Sequence, residues 1–373
     1  MHPTCLLHLT HPCACCQVER VSFRWLLKQL SGQHYSGEWA CTGKIGPALL
    51  FRTDRWVRKR RKELPLCSLD AKAYVTGLAS PAGAGSPDPL AKNSRPYWTM
   101  RRLEGQHHVA LVGSFQRITS DGGTEASPPG GADAGSGAVT AAPVDGLVHV
   151  VATHFHWAPS DADIKTLQAG LLLHSLHRYL QDGGDITPAG ECLGPVIVCG
   201  DYNSVPRTTL EVHDGVERVN GVYELFTRGS LNEANIRKLV AARCKGDCPE
   251  VLPPEVDVLA RIKSNFNGNF ASAMATAVGS EPQFTNYTRN FKDCLDYVFY
   301  LDQSGGGGDT STHPSGGDES KSDEAKGGSV GSSLTPVAVL EAPPEAVLAE
   351  EEAIPSSVFP SDHIPLVVVF RRG

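Results

Sequence analysis

The sequence predicts a layered α/β sandwich, and three observations carry that prediction. Short apolar runs rich in β-branched residues recur along the chain, one long stretch keeps a helical period between two of them, and four of the runs end on polar residues. Some of these strands read as hairpins and others alternate with helices, which fits one layered domain. Composition sets the bounds. The chain has 373 residues, 40% of them hydrophobic, so material for a large core is present. No run reaches the roughly 18 apolar residues of a membrane span, and no basic-then-apolar leader opens the chain. The expected class is therefore a soluble cytoplasmic protein without membrane contact. Cysteines number 11, an odd count, and Cys5, Cys13, Cys15 and Cys16 crowd the start while the rest scatter, which is no disulfide framework. Cys244 and Cys248 lack the second Cys/His pair of a structural zinc site. With a net charge of −7, any nucleic-acid contact must come from a local patch.

In chain order, residues 1–17 (MHPTCLLHLTHPCACCQ) show no helical or strand periodicity. Val18 to Leu30 then sets Val18, Val21, Trp25, Leu26 and Leu30 on one helical face. Gly46 to Arg52 reads as a strand. The basic segment Arg52 to Lys62 reads as a solvated charged face, with a phosphate-facing patch as the alternative. Residues 79–95 and 118–146, rich in Ala, Gly, Pro and Ser, read as disordered inserts. His108 to Gly113 and Leu147 to Thr153 form a strand pair around the second insert. Ser160 to Asp163 resembles a capping box, opening a helix whose Ile164, Leu167, Leu171, Leu172, Leu176, Tyr179 and Leu180 keep the 3.6 period up to Gly183-Gly184.

Val196 to Cys199 is bounded by Pro195 and Gly200 and suits a buried strand that delivers Asp201 and Asn203 at its end. Gly221 to Phe226 reads as a short helix ending at Gly229. Cys294 to Tyr300 is an aromatic-rich strand carrying Asp296. Residues 304–333 read as a third insert, and a last strand pair flanks Phe359 to His363.

Four strand ends thus offer His154, the Asp201/Asn203 pair, Asp296, and the Asp362/His363 pair. Each has a plain structural explanation: an Asx turn for Asp201 and Asn203, a capped turn for Asp362, a satisfied core histidine for His154, a lone hydrogen-bonded acid for Asp296. Together they supply hard oxygen ligands for Mg²⁺, a group to activate water, donors to a developing phosphorane charge, and a carboxylate to fix a histidine.

The segments THFHWAP, GDYNSVP, FTNYTRNFKDCLDYVFY and FPSDHIPL, in that order, resemble the motifs of the endonuclease/exonuclease/phosphatase superfamily. Within it they are similar to the carbon-catabolite-repressor type of poly(A) deadenylase and its nocturnin and angel relatives. The resemblance covers most of residues 18–373 outside the inserts. It implies a four-layer α/β sandwich and a Mg²⁺-dependent 3′-to-5′ exonuclease, with Mn²⁺ as the alternative ion, acting on the poly(A) 3′ end of single-stranded RNA. By the same resemblance Asp201 activates the water, Asn203 holds the phosphate, His363 is the catalytic histidine oriented by Asp296, Asp362 lies at the metal side, and His154 stabilises the phosphate. Pro159 and Phe291 fall where deadenylases sandwich an adenine, with ordinary core packing as the other reading of Phe291.

Two departures stand out. The family opens with a strand carrying an asparagine and continues to a metal-binding glutamate, and here Gln17 stands at that position. A carboxamide is a poorer partner for a hard dication. The expectation is that the N-terminal strand is missing, and that residues 1–17 lie outside the domain. Nearly all of residues 4–17 have codons dominated by pyrimidines, as in a translated splice-acceptor tract; a genuine divergent terminus on a catalytically dead binding module is the alternative. A nucleotide phosphatase or cyclic-phosphate hydrolase built on the same residues is a third reading.

Overall fold

The central strand of the molecule carries no polar side chain until its last residue, and its neighbours explain why. β8 (Val196–Asp201) is buried along its whole length. Val196 and Val198 face helices on one side, whereas Ile197 and Cys199 face a second sheet on the other. A strand covered on both faces reads as a continuous apolar run rather than an alternating one. In this computed structural model the residues described are 2–9, 11–40, 44–67, 69–79, 102–103, 107–118, 146–208, 218–243, 258–302, 333–350, 352–357 and 359–372.

The strands are β1 (His2–Leu9), β2 (His11–Glu19), β3 (Tyr35–Trp39), β4 (Ile45–Arg52), β5 (Trp56–Pro65), β6 (Val109–Arg117), β7 (Leu147–His154), β8, β9 (Arg207–Thr208), β10 (Arg218–Val219), β11 (Asn269–Ser272), β12 (Asn286–Tyr287), β13 (Lys292–Asp293), β14 (Asp296–Asp302), β15 (Leu334–Leu340) and β16 (Leu366–Arg372). The helices are α1 (Arg20–Leu30), α2 (Leu69–Ala79), α3 (Ala162–Asp182), α4 (Gly221–Arg228), α5 (Glu233–Arg243), α6 (Ala273–Val278) and α7 (Glu345–Ala349). Two six-stranded sheets result, in the orders β15-β16-β1-β2-β4-β3 and β11-β14-β8-β7-β6-β5.

The sheets pack face to face through Leu49, Phe51, Leu111, Val150, Ile197, Val298, Val368 and Phe370. The outer face of the second sheet is covered by α3 and α4, with Leu171, Leu172, Leu176 and Phe226 against Val112, Val151, Val198 and Phe299. The outer face of the first is covered by α1. The order helix, sheet, sheet, helix is the expected four-layer sandwich.

Several expectations need correction. The first sheet is not short at its N-terminal side: β1 runs parallel to β16 and antiparallel to β2, and β2 pairs with β4 from Cys13 to Glu19. Neighbouring strand edges on both sides satisfy this segment's backbone, so it extends without any alternation of its own. The buried stripe of α1 is Phe23 with half-buried Leu26, Leu27 and Leu30, while Val21 and Trp25 are exposed. Val18 belongs to β2 and the helix starts only at Arg20, so Val18 is no part of the stripe, and the face turned to the sheet is the one that carries Phe23. Asp161 is the N-cap of α3 but makes no side-chain cap bond, and Asp163 instead accepts from Arg102 at 2.6 Å, so the capping box is not formed.

Other local readings hold. α4 is capped by Asn220, whose side chain accepts from Val222 N, and ends at Gly229 in the left-handed region. β6 and β7 pair antiparallel as expected. The basic segment is the edge strand β5, where Arg58 and Arg61 pair with Glu38 and Arg60 with Asp185. The stretch from Arg207 to Val219 begins and ends as a two-stranded ribbon, β9 with β10. Apart from their end residues, the three composition-biased inserts lie outside the described residues, as do Cys244 and Cys248.

Candidate active site

β7, β8 and β14 lie side by side, with His154 opposite Asp201 and Asp201 opposite Asp296. That register, set by apolar residues further down each strand, puts three polar side chains in one row at the sheet's end. Gly200 permits the close approach of β7: a Cβ there would lie 1.9 Å from the Thr153 carbonyl oxygen. Directly after β8 the chain turns through Asn203, whose φ of +49° is a left-handed conformation that asparagine tolerates better than most residues.

The turn is held from three sides. Asn203 N donates to Asp201 Oδ1 at 2.7 Å, the Asx-type bond that the plain reading of GDYN anticipated. The Asn203 amide donates to Phe155 O and to His154 Nε2, both at 3.0 Å. Lys165 Nζ donates to Asn203 O at 2.6 Å from the first turn of α3. Tyr202, fully buried between these contacts, anchors the loop in a ring cluster with Phe155, Tyr297 and Phe299.

The fourth strand end arrives from the other sheet's last strand. His363 precedes β16, forms an isolated bridge to Asn286, and presents Nδ1 to Asp296 Oδ2 at 2.7 Å. Asp296 Oδ2 also accepts from Thr285 Oγ1 at 2.6 Å, and that hydroxyl in turn takes the backbone N–H groups of Leu295 and Asp296. The opposite ring nitrogen, Nε2, lies 3.8 Å from Asp201 Oδ2. Burial opposes a charge on His363, but Asp296, then Asp201 and Asp362, outweigh it and push the imidazole up to about 10. At neutral pH the ring is therefore protonated, with one N–H on Asp296 and the other directed toward Asp201. Lys165 is shifted the other way: burial pulls its ammonium down to about 8 against the opposing pull of Asp201 and Asp161.

Asp201, Asp296 and His363 each offer a ligand atom within 4.8 Å of the others, and all three are buried. The two carboxylates are the hard oxygen ligands that a divalent cation such as Mg²⁺ takes, whereas the protonated His363 is there a hydrogen-bond donor. Asp362 is half-buried beside His363, and it lines a cavity with Thr288, Arg289 and Asn290. The backbone of Gln17 pairs with Pro47 in the first sheet, and its side chain lies outside the described residues.

His154, Asp201, Asn203, Asp296 and His363 are thus brought together as the motif order anticipated. Pro159 and Phe291 sit on separate exposed loops, and Phe291 is 42% exposed, which removes core packing as its explanation. Several supporting residues are not among the site residues assigned from the sequence. Thr285 links Asp296 to the backbone. Gln168, fully buried, accepts from His156 N at 2.9 Å and fixes the loop after β7. His156 Nε2 contacts Asp161 Oδ2 at 3.0 Å, and Arg102 bridges Asp161 and Asp163. A usable signal existed for Lys165 and Gln168, which interrupt the apolar face of an otherwise greasy helix.

No protein-family model matches the chain. It is 27% identical over 230 residues to the CCR4-Not complex 3′-5′-exoribonuclease subunit Ccr4 of Kluyveromyces lactis, covering 60% of this chain and 21% of that protein. To the Saccharomyces cerevisiae protein of the same name it is 28% identical over 231 residues, covering 61% and 21%. Against the Carbon catabolite repressor protein 4 homolog 1 of Arabidopsis thaliana the figures are 26% over 227 residues, 60% and 30%. The chain therefore spans between about a fifth and a third of the length of these relatives. Among solved structures, ANGEL2, described as a 2′,3′-cyclic phosphatase, shares the fold with a TM-score of 0.57 and 17% identity over 96% of this chain and 82% of that one. With its four-layer fold and its row of polar strand ends, the chain is thus similar in sequence to the carbon-catabolite-repressor deadenylases and in fold to ANGEL2, as the resemblance to the endonuclease/exonuclease/phosphatase superfamily implies.

Proposed function

We propose that this chain is a divalent-metal-dependent phosphodiesterase that removes nucleotides from the 3′ end of single-stranded RNA, poly(A) by preference, in cytoplasmic mRNA turnover. One observation carries the reading: Asp201, Asp296 and His363 converge within 4.8 Å beside His154 and Asn203 at one end of the second sheet. That set combines acceptors for a proton or a cation with donors for a phosphoryl oxygen. Asp201 and Asp362 would hold Mg²⁺, with the Gln17 position at the same side. A bound Mg²⁺ supplies Lewis-acid polarisation of the phosphoryl group and a more acidic bound water.

The protein's own groups do the rest. Asp201 Oδ2 lies 3.3 Å from the Asn203 amide, 3.5 Å from His154 Nε2 and 3.8 Å from His363 Nε2. It orients the attacking water and takes its proton as the water oxygen bonds to phosphorus and the P–O3′ bond breaks, the shortened RNA leaving with its 3′ oxygen. The His363 imidazolium, fixed by Asp296 and charged at neutral pH, stabilises the charge that develops on the phosphorane. His154 and the Asn203 amide hold the phosphate oxygens. Phe291 and Pro159 receive the base, a stacking contribution of roughly 1–3 kcal/mol per base.

The test is incubation of the purified chain with 5′-labelled oligo(A) and Mg²⁺, with products resolved by length and nucleotide release. Stepwise shortening from the 3′ end with 5′-AMP as product is the expected result. Conversion of a 2′,3′-cyclic phosphate terminus without shortening would favour the phosphatase reading instead, in keeping with the ANGEL2 fold. Turnover of neither substrate would leave a binding module.

A further inference from the structure

A second basic feature lies away from the candidate catalytic row. Between the edge strand β5, helix α2 and the middle of α3 is a cavity of about 520 Å³, lined by Lys62, Tyr74, His174, Arg178, Arg261 and Lys263 among others. Glu63 is the one acid among its lining residues, and it already pairs with Arg61. The distinction from the rest of β5 is the fate of the charges. Arg58, Arg60 and Arg61 are neutralised by Glu38 and Asp185. By contrast, Lys62 has only Asp182 at 3.8 Å, between side chains more than half exposed, and no described carboxylate pairs with Arg178 or Lys263. The Tyr74 hydroxyl, packed against Gly170 of α3, is buried without a hydrogen-bond partner among the described residues. Unpaired cations over a donor with no acceptor make a concave site for an anion in a chain whose net charge is −7.

Sheet register connects this site to the catalytic row. β5 and β7 run in the same direction on either side of β6, with Glu63, Leu111 and Ala152 in one row. The end of β5 that walls the cavity is therefore two strand spacings, about 10 Å, from the end of β7 that carries His154. A polymer whose terminus lies at Asp201 and His363 can reach the cavity along the sheet's edge.

We infer that this cavity binds the phosphodiester backbone of single-stranded RNA upstream of its 3′ end, with Lys62, Arg178 and Lys263 as phosphate contacts; this rests on the nuclease reading above. Binding of 5′-fluorescein oligo(A) to the full chain is measured by anisotropy in EDTA across a salt series, comparing wild type with the exposed-site double variant Arg178→Glu/Lys263→Glu. AMP is titrated in parallel as a single-nucleotide probe. The expected result is roughly tenfold weaker oligo(A) binding in the variant and a salt slope shallower by about 1.4, two single-strand phosphate contacts at about 0.7 each. AMP binding should be unaltered. Equal oligo(A) affinity and slope in both proteins overturns the inference, as does an effect on AMP with none on oligo(A), which would mark a mononucleotide site. Because no metal is present, a variant effect seen in a protein that never shortens oligo(A) would sink the nuclease reading while leaving RNA binding at this cavity standing. Shortening by wild type with no variant effect does the reverse.

Discussion

Lys165 donates its ammonium to the carbonyl oxygen of Asn203 at 2.6 Å, tying the first turn of α3 to the one non-glycine residue of the active-site loop with a positive φ. Neither residue explains the other alone. Asn203 sits in a left-handed conformation that costs energy, and it persists because its N–H, side chain and carbonyl are all engaged. Replacement by Lys165→Met removes the carbonyl's partner along with a buried charge. Burying that charge is itself unfavourable, so thermal stability should shift by no more than about 2 kcal/mol in either direction. Turnover of oligo(A) should fall on the order of tenfold or more through misplacement of the Asn203 amide. Unaltered turnover in a folded Lys165→Met protein would show that the contact is structural only.

Asp201→Ala and His363→Ala should each lower metal-dependent oligo(A) cleavage by at least about 10²-fold, the usual scale for removing a positioned proton acceptor or charge donor. Their stabilities should differ. His363→Ala strips the fully buried Asp296 of its charged partner, and breaking a buried pair in this way costs about 3–5 kcal/mol. Differential scanning calorimetry beside single-turnover kinetics separates the two effects. Wild-type rates in either variant would remove these residues from the mechanism.

Phe291 is held on a tight turn in which the Thr288 hydroxyl accepts its N–H and donates to its carbonyl oxygen, so truncating the ring should leave the loop's backbone intact. Phe291→Ala should reduce kcat/KM for oligo(A) several-fold more than for oligo(U), since purines stack better than pyrimidines. A uniform loss on both substrates would argue against a base contact.

His149 is fully buried in β7, with Nδ1 on Ser114 Oγ at 2.8 Å and no hydrogen-bond partner for Nε2 among the described residues. Burial first, and then Arg60, pulls its pKa down to about 3. Its folded value thus lies below its unfolded value, and the unfolded chain binds the extra proton. Stability from this group is complete above about pH 6.5 and is lost as pH falls toward 3, at up to about 1.4 kcal/mol per pH unit. Urea midpoints measured from pH 7 to pH 4 should fall more steeply for wild type than for His149→Gln, which cannot titrate. Parallel curves would exclude His149 as the source.

The sequence by itself determined more of the site than of the frame around it. His154 and Asp201 close apolar runs while Asp296 opens one and His363 stands three residues before another, so each strand delivers its polar residue to the sheet's end whichever strands lie beside it. The period of Ile164 to Leu180 likewise decided where α3 begins to bury and which face it turns inward. Other features had no local signal. β1 and β2 lack alternation and extend only because β16 and β4 offer unpaired edges. The stripe of α1 could not be read without knowing that Val18 lies in a strand. Above all, the pairing of His363 with Asp296 joins residues 67 positions apart, one in the segment before the first sheet's β16 and the other at the start of the second sheet's β14. Strand order and register, fixed by packing between the sheets, made that contact, because a side chain's partner across a core depends on which surfaces bury together and not on its neighbours in the chain.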